Sequence, residues 1–256
     1  MRRWVLAPVL PLVLVLLWFL GTRDAGTALP RPVDVVAAAS ALLGTGELVT
    51  ALVTSIGRVL LGFAIGVALA AVIGIAMGRW HWVRQTLDPL VETVRPIAAI
   101  ALVPIAILWF GAGTNAAVFI VAYASFFPMV VNTIAGVRTI EPSMYDAART
   151  FGLSEVGVLS QVVLPAALPS LFVGARLSMG LAWTSVIAAE LTVGAKASEG
   201  AAGASGGIGQ LMYTFFLYDA DPNPMVVCMI SVGLVGLVLD QVLRGSGRLL
   251  MPWRPA

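Results

Sequence analysis

The fold class that this sequence predicts is an all-α, polytopic membrane protein, on the basis of its composition and its long apolar runs. Of its 256 residues, 59% are apolar and only 11% are charged, whereas about a quarter of the residues in a soluble domain are charged. The mean hydropathy of +0.97 agrees with this assignment. Charge-free runs at 4–22, 59–78 and 96–137 each reach the length of about 20 residues that a transmembrane helix needs.

We predict six transmembrane helices from these runs and from the breaks between them. The spans are at 4–21, 57–77, 90–110, 116–136, 171–194 and 225–243. The first apolar run is longer than the roughly 7–15 residues of a secretory signal, so we expect it to be retained as a span. The run at 96–137 divides at 111–115, where glycine and asparagine favour a turn.

The basic residues predict the orientation of these spans. If both termini are cytoplasmic, eleven of the fifteen basic residues, including Arg95, lie inside, three lie outside, and Arg58 lies near the outer boundary. An excess of arginine and lysine in the cytoplasmic loops is the usual signature of orientation. We therefore predict an N-in, C-in topology.

This topology divides the chain into two units. Residues 1–56 hold the first transmembrane helix and an outer segment, in which 33–57 forms an interfacial helix. Residues 57–256 form a core of five transmembrane helices with a long inner loop at 137–170. In that loop we expect Pro165 and Pro169 to break the helix and turn the chain into the fifth span. On the outer side we expect a short helix at 210–218 lying near the membrane surface.

The composition excludes several classes of function. The single cysteine, Cys228, cannot form an internal disulfide, and the single histidine, His81, provides too few ligands for a histidine metal site. A net charge of +2 is too small and too dispersed for a nucleic-acid partner. The only lysine, Lys196, is not part of a phosphate-binding loop, so any ATP would have to be bound by a partner. We expect no catalytic residue, metal or cofactor in this chain.

The inner loop carries the most informative motif in the sequence. The residues of this motif are Asp146, Ala147, Ala148, Gly152, Leu164 and Pro165. Pro142 favours the start of a helix, and Gly152 can end it in the left-handed conformation. The two alanines leave a thin helix face that the surface of another protein can approach closely. The motif therefore predicts a short docking helix that projects from the membrane and is tied to a span.

This spacing resembles the EAA loop of binding-protein-dependent ABC importer permeases, whose pattern is E-A-A-x3-G-x9-I-x-L-P. Asp146 stands where the family has Glu, and Val162 stands where it has Ile. Further segments, over roughly 50–254, resemble the nitrate, taurine and sulfonate branch of that family. They include 54–63, 87–90, 95–97, 102–105, 108–113, 126–128, 189–190, 206–209, 239–240 and 252–254.

The resemblance implies the type I ABC importer permease fold and a half-channel in a bacterial cytoplasmic membrane. A second permease subunit, most simply a copy of this chain, would complete the path. Two cytoplasmic ATPases would hold the ATP and Mg²⁺ and dock on the inner loop, and an extracytoplasmic solute-binding protein would deliver the solute. The branch implies a small anionic or zwitterionic solute such as a sulfonate (taurine), nitrate or bicarbonate.

Polar residues within the spans are candidates for the translocation path, because polar groups inside a membrane usually face a cavity or the protein interior. The candidates are Tyr123, Ser125, Asn132, Trp183, Thr184, Ser185 and Glu190. Each of them could instead form hydrogen bonds between helices. Glu190 and Arg58 lie near outer span ends, where both could be placed among the lipid headgroups.

Two other functions are alternatives. A stand-alone secondary transporter or channel would carry ionisable residues near the midplane and would need no inner docking loop. An intramembrane serine hydrolase would use Ser205, within the G-x-S-x-G pattern at 203–207. Its general base would have to be His81, which the predicted topology places on the opposite side of the membrane.

Overall fold

The computed structural model describes residues 9–22, 30–197, 206–219 and 221–251, and this part of the chain is helical and contains no strand. The α-helices of the described residues are α1 (Val9–Gly21), α2 (Pro32–Thr45), α3 (Glu47–Arg79), α4 (His81–Val94), α5 (Val103–Phe110), α6 (Thr114–Arg138), α7 (Pro142–Thr150), α8 (Glu155–Val158), α9 (Leu164–Ala197), α10 (Ile208–Thr214) and α11 (Pro222–Leu250). A 3₁₀ turn at Ala99–Leu102 precedes α5, and π turns follow α8 at Leu159–Val163 and α10 at Phe215–Asp219. The prediction of an all-α fold is confirmed.

Four of the described helices are long and apolar enough to cross a membrane. They are α3, α6, the continuous stretch Glu155–Thr192 that includes most of α9, and Pro222–Gly247 of α11. Among the described residues a fifth crossing could be made by α4 together with 99–110, and these two pieces are bent by 86°. The described part of the first predicted span is α1, which has 13 residues.

The span predicted at 90–110 is interrupted in the structure. Helix α4 ends at Val94, and the chain turns through 95–98 before the 3₁₀ turn begins. Pro96 has no amide hydrogen to donate to a helix, and Ala98 adopts an extended backbone with ψ 134°. The bend therefore has a local cause in the sequence.

The segment before the second span also differs from the prediction. The interfacial helix expected at 33–57 is two helices, because α2 ends at Thr45 and α3 already begins at Glu47. The residue between them, Gly46, has a left-handed backbone with φ 77°, which glycine adopts without steric cost. One glycine thus separates two helices where a single helix was expected.

Helix α9 runs through the two prolines that were expected to break it. Pro165 lies in the first turn of α9 and Pro169 lies inside it. A π turn at Leu159–Val163 immediately precedes them. Pro165 sits where a helix tolerates a missing amide, and local π geometry accommodates the backbone groups that such a residue leaves unpaired. The predicted change of direction at these prolines is therefore wrong.

Helix α6 is the centre of the fold, with α3 on one side and α9 on the other. Small residues allow both contacts to be close. A Cβ atom on Gly62 would lie 2.6 Å from the Cβ of Val121, and one on Gly136 would lie 2.6 Å from the Cβ of Ser170. The first contact joins α3 to the first half of α6, and the second joins the end of α6 to the beginning of α9.

The short helix expected near the outer surface is packed into the protein instead. Helix α10 begins with Ile208 and Gly209, both buried, and Phe215 just after it is buried as well. Its residues contact α9, α3 and α11. Ser205 and most of the tract at 195–205 lie outside the described residues, and His81 is exposed at the start of α4.

Candidate functional site

Helix α7 forms the predicted docking element and is closed by a Schellman motif. Its first residue is Pro142, and Gly152 beyond its end has φ 76°. The amide of Leu153 donates to the carbonyl of Ala148 at 3.1 Å, and the amide of Gly152 donates to that of Arg149 at 2.9 Å. These are the two hydrogen bonds that define this helix end. The predicted start and end of the helix are confirmed.

The inner face of α7 is fixed to the membrane helices. Ala148 is buried in a core cluster that includes residues of α3 and α9, and Tyr145 packs against the same cluster. The guanidinium of Arg79 lies 4.8 Å from the centre of the Tyr145 ring. Burial raises the pKa of the Tyr145 phenol, so this group stays neutral. Arg79 and Arg149 both pair with Glu155, at 3.2 and 3.1 Å.

The outer face of α7 and its surroundings are exposed and partly apolar. Phe151 is 86% exposed and Val156 is 76% exposed. Asp146 and Ala147 are also exposed, and no basic group of the described residues lies within 4.0 Å of the Asp146 carboxylate. Exposed apolar side chains on and near α7 are what a protein-binding surface requires. Leu164 and Pro165 are exposed at the start of α9.

A second site is an open cavity of about 480 Å³ at the bend between α4 and α5. The bend, α6 and α9 form its walls. Its lining residues are Arg95, Pro96, Ile97, Ala98, Ala99, Tyr123, Ala124, Phe127, Pro128, Val131, Asn132, Leu177, Leu181 and Ser185. The size suits a small solute, since ligand pockets typically measure about 300–1,000 Å³.

Tyr123 holds the bend in place. Its hydroxyl lies 2.9 Å from the carbonyl oxygen of Val94 and 3.1 Å from that of Ile97. It therefore shares its single proton between two carbonyl groups of the bend, and the Val94 carbonyl also accepts from the amide of Ile97 at 3.0 Å. Asn132 is held within α6, where its side-chain amide donates to the carbonyl of Pro128 at 2.8 Å.

The predicted path residues divide into two groups. Tyr123, Asn132 and Ser185 line the cavity. Ser125 is buried and donates to the carbonyl of Val121, while Trp183 is buried and donates to the carbonyl of Val232 on α11. The remaining two residues are also outside the cavity lining. Thr184 bonds carbonyls of its own helix, and Glu190 belongs to the buried network described next.

Glu190 is the centre of a buried polar network. Its Oε1 atom lies 2.8 Å from Nη1 of Arg58, and the two side chains are only 1% and 6% exposed. The hydroxyl of Ser55 lies 2.8 and 2.9 Å from the two carboxylate oxygens. Arg58 also donates to Thr114 through Nε and Nη2.

Backbone amides at the start of α10 complete this network. The amide of Gly209 donates to Oε2 of Glu190 at 3.0 Å, and the amide of Ile208 donates to the hydroxyl of Ser55 at 2.9 Å. A Cβ atom on Gly207 would overlap the Glu190 carboxylate. Gly207 is therefore required for the close approach of α10 to Glu190. The glycine-rich stretch 206–209 was the only signal in the sequence that pointed to this contact.

Comparison with known proteins identifies the family of this helical arrangement. A chain of the inward-facing MetNI methionine ABC transporter superposes with a TM-score of 0.61 at 17% identity, over 80% of this chain and 94% of that one. The sequence profile of the family described as binding-protein-dependent transport system inner membrane component matches residues 62–250. This chain belongs to that family. It is the permease subunit of an ABC importer, and the ATPase is a separate subunit.

Relatives of this permease share most of its length. A probable ABC transporter permease of Brucella abortus is 35% identical over 93% of this chain and 90% of its own. The putative aliphatic sulfonates permease SsuC of Escherichia coli is 34% identical over 100% of this chain and 95% of its own. The bicarbonate permease CmpB of Synechococcus elongatus is 35% identical over 74% of this chain and 64% of its own. These relatives confirm the resemblance found in the sequence and do not favour a stand-alone transporter or channel.

Proposed function

We propose that this permease forms half of the translocation path for a small anionic or zwitterionic solute, and that its α7 loop couples the path to the ATPase. The candidate solutes are sulfonates such as taurine, nitrate and bicarbonate. The names of two relatives, a sulfonate and a bicarbonate permease, support this class. The observation that carries the coupling role is the geometry of α7, which is anchored through Ala148 and presents Asp146 and Phe151 outward.

The proposed topology places both termini and the α7 loop in the cytoplasm of a bacterial cell. The support is the distribution of the basic residues, since ten of the fifteen fall on that side even when Arg95, next to the bend, is left out. The first apolar run then counts as a sixth span and crosses the cytoplasmic membrane with the others. The two units, 1–56 and 57–256, are an anchor and the transporting core.

The proposed assembly has a second permease subunit, most simply a copy of this chain, two ATPases and one extracytoplasmic solute-binding protein. ATP and Mg²⁺ are bound by the ATPases; among the described residues no group of three or more His, Cys, Asp or Glu side chains is placed to hold a metal ion. Asp146 is one methylene shorter than the glutamate of the family pattern, so it reaches less far toward a basic group on the ATPase.

The experiment that tests this function is co-expression of the chain with a candidate ATPase and binding protein, followed by purification in lipid nanodiscs. ATPase activity is then measured with the binding protein loaded with taurine, nitrate or bicarbonate. Stimulation by one of these solutes supports the function and names the substrate. If no ATPase co-purifies with the chain, the coupling role of α7 fails.

Replacing Gly152 tests the coupling loop at a single residue. In the Gly152→Val variant, a β-branched side chain at φ 76° strains the backbone by about 1–2 kcal/mol and weakens the end of α7. We expect the ATPase stimulation by the loaded binding protein to fall roughly tenfold. Basal membrane insertion is unaffected, because no atom lies within 4 Å of the position a Cβ would take.

The matched control is Gly152→Asn at the same position. Asparagine tolerates the left-handed conformation far better than valine does, so this variant retains most of the stimulation. Equal stimulation in the two variants would show that the backbone conformation at this position does not matter for coupling.

A further inference from the structure

The bend between α4 and α5 brings an arginine to the middle depth of the helix bundle. Arg95 lines the same cavity as Tyr123 and Leu181. Leu181 is midway along α9, and Tyr123 is in the central part of α6, so this depth does not depend on which face is cytoplasmic. The charge distribution of the sequence had grouped Arg95 with the inner loops. In the structure it lies beside the central part of α6, because the Tyr123 hydroxyl contacts the carbonyls of Val94 and Ile97 on either side of it.

The residues that line the cavity carry a net charge of +1. Among its lining residues Arg95 is the only charged one, and the polar ones are Tyr123, Asn132 and Ser185. No carboxylate of the described residues lies within 4.0 Å of the Arg95 guanidinium. The ion pair between Arg58 and Glu190 is buried elsewhere, and its two charges balance each other. The cavity is therefore electropositive.

An uncompensated cation at membrane depth is expensive, and such residues usually mark the route of a solute or ion. Here Arg95 is exposed to the cavity and has no acid to neutralise it. A guanidinium offers a planar fork of donors that matches the oxygens of an oxyanion. The charge and the donor geometry of the cavity both favour an oxyanion over a cation of the same size.

We propose that Arg95 is the countercharge that selects anionic solutes in the path, a role that rests on the proposed function of the chain as a permease. Tyr123 is a positioning residue in this site, since its hydroxyl binds the backbone on both sides of Arg95, at Val94 and Ile97. Asn132 and Ser185 supply neutral hydrogen-bonding groups on the opposite walls. A zwitterionic solute binds through its anionic end.

Charged thiol reagents test this proposal without knowledge of the natural solute. The full chain carries Cys228→Ser, which removes its single, buried cysteine, and Ser185→Cys, which places a thiol in the cavity wall. The rates of modification by anionic methanethiosulfonate ethylsulfonate and by its cationic trimethylammonium counterpart are measured in nanodiscs. We expect Arg95→Gln to lower the ratio of the anionic to the cationic rate about tenfold, because a unit charge nearby is removed.

Two control variants separate charge from damage to the fold. Arg95→Lys keeps the charge and retains most of the ratio. Arg84→Gln removes an arginine from the same helix that pairs with Asp88 at 3.5 Å and does not line the cavity, so the ratio stays unchanged. An unchanged ratio in Arg95→Gln overturns the proposal. So does a thiol that neither reagent modifies, since the cavity would then not be open to water.

The same preparations keep this proposal separate from the coupling role. Co-purification of the ATPase together with an unchanged labelling ratio refutes the role of Arg95 alone. A tenfold fall in the ratio without co-purification of the ATPase supports Arg95 and refutes docking through α7.

Discussion

Glu190→Gln lowers the free energy of unfolding of the permease by about 3–5 kcal/mol, which is the usual result of removing one partner from a buried ion pair. The neutral amide removes the negative charge that lies 2.8 Å from the Arg58 guanidinium, whose side chain is only 6% exposed. It also places an NH₂ group among donors, since Ser55 and the amide of Gly209 both donate to the present carboxylate. The change is measured as the shift in thermal unfolding of the chain in nanodiscs.

A double substitution shows whether the destabilisation comes from loss of the ion pair or from loss of the packing of each side chain. Arg58→Gln with Glu190→Gln removes both charges, so the double variant is more stable than the sum of the single effects implies. The coupling between the two positions is then read from the double-mutant cycle. Additive losses would show that the two side chains stabilise the fold independently, in conflict with the 2.8 Å contact.

Gly207→Ala has a similarly large effect, about 3 kcal/mol or more, although it adds only one methyl group. The new Cβ would overlap the Glu190 carboxylate, so either α10 moves away or the carboxylate leaves Arg58. Both outcomes break hydrogen bonds in the buried network. The backbone of Gly207 has φ −80°, which alanine adopts freely, so the effect is one of space and not of backbone strain.

The adjacent glycine provides the matched control for this substitution. A Cβ on Gly206 would lie 3.5 Å from Oε1 of Gln210, an ordinary van der Waals contact. Gly206→Ala therefore changes the unfolding temperature little, whereas Gly207→Ala lowers it clearly. Equal stability of the two variants would contradict the packing of α10 against Glu190.

Local signals in the sequence were sufficient for the docking helix. Pro142 and Gly152 act on their own neighbours, so the start of α7 and its left-handed end could be predicted directly. The apolar runs likewise predicted α3 and α6 as spans, because hydropathy requires no knowledge of partners. The family resemblance of the loop suggested its coupling role, whereas its helical structure was predicted from these residues alone.

Contacts between distant segments could not be predicted in this way. Arg58 and Glu190 are 132 residues apart, and each alone is as compatible with a headgroup position as with burial. Helix α9 continues through Pro165 because a π turn precedes it, and no residue in that turn predicts π geometry from the sequence. The position of Arg95 beside the cavity depended on the 86° bend, which a count of charges by loop does not include.

The uninterrupted helix from Glu155 to Thr192 has a mechanical consequence. It approaches α6 closely near Gly174, where a Cβ would lie 2.9 Å from the Cβ of Asn132, so this contact can serve as a fulcrum. One arm reaches about 29 Å to Glu155 and the other about 24 Å to Glu190. A tilt of roughly 10° would displace both ends by about 4–5 Å in opposite directions, while the cavity residues near the fulcrum move far less. A displacement of the docking loop would thus also displace the Glu190 network at the other end of this helix, on the far side of the membrane.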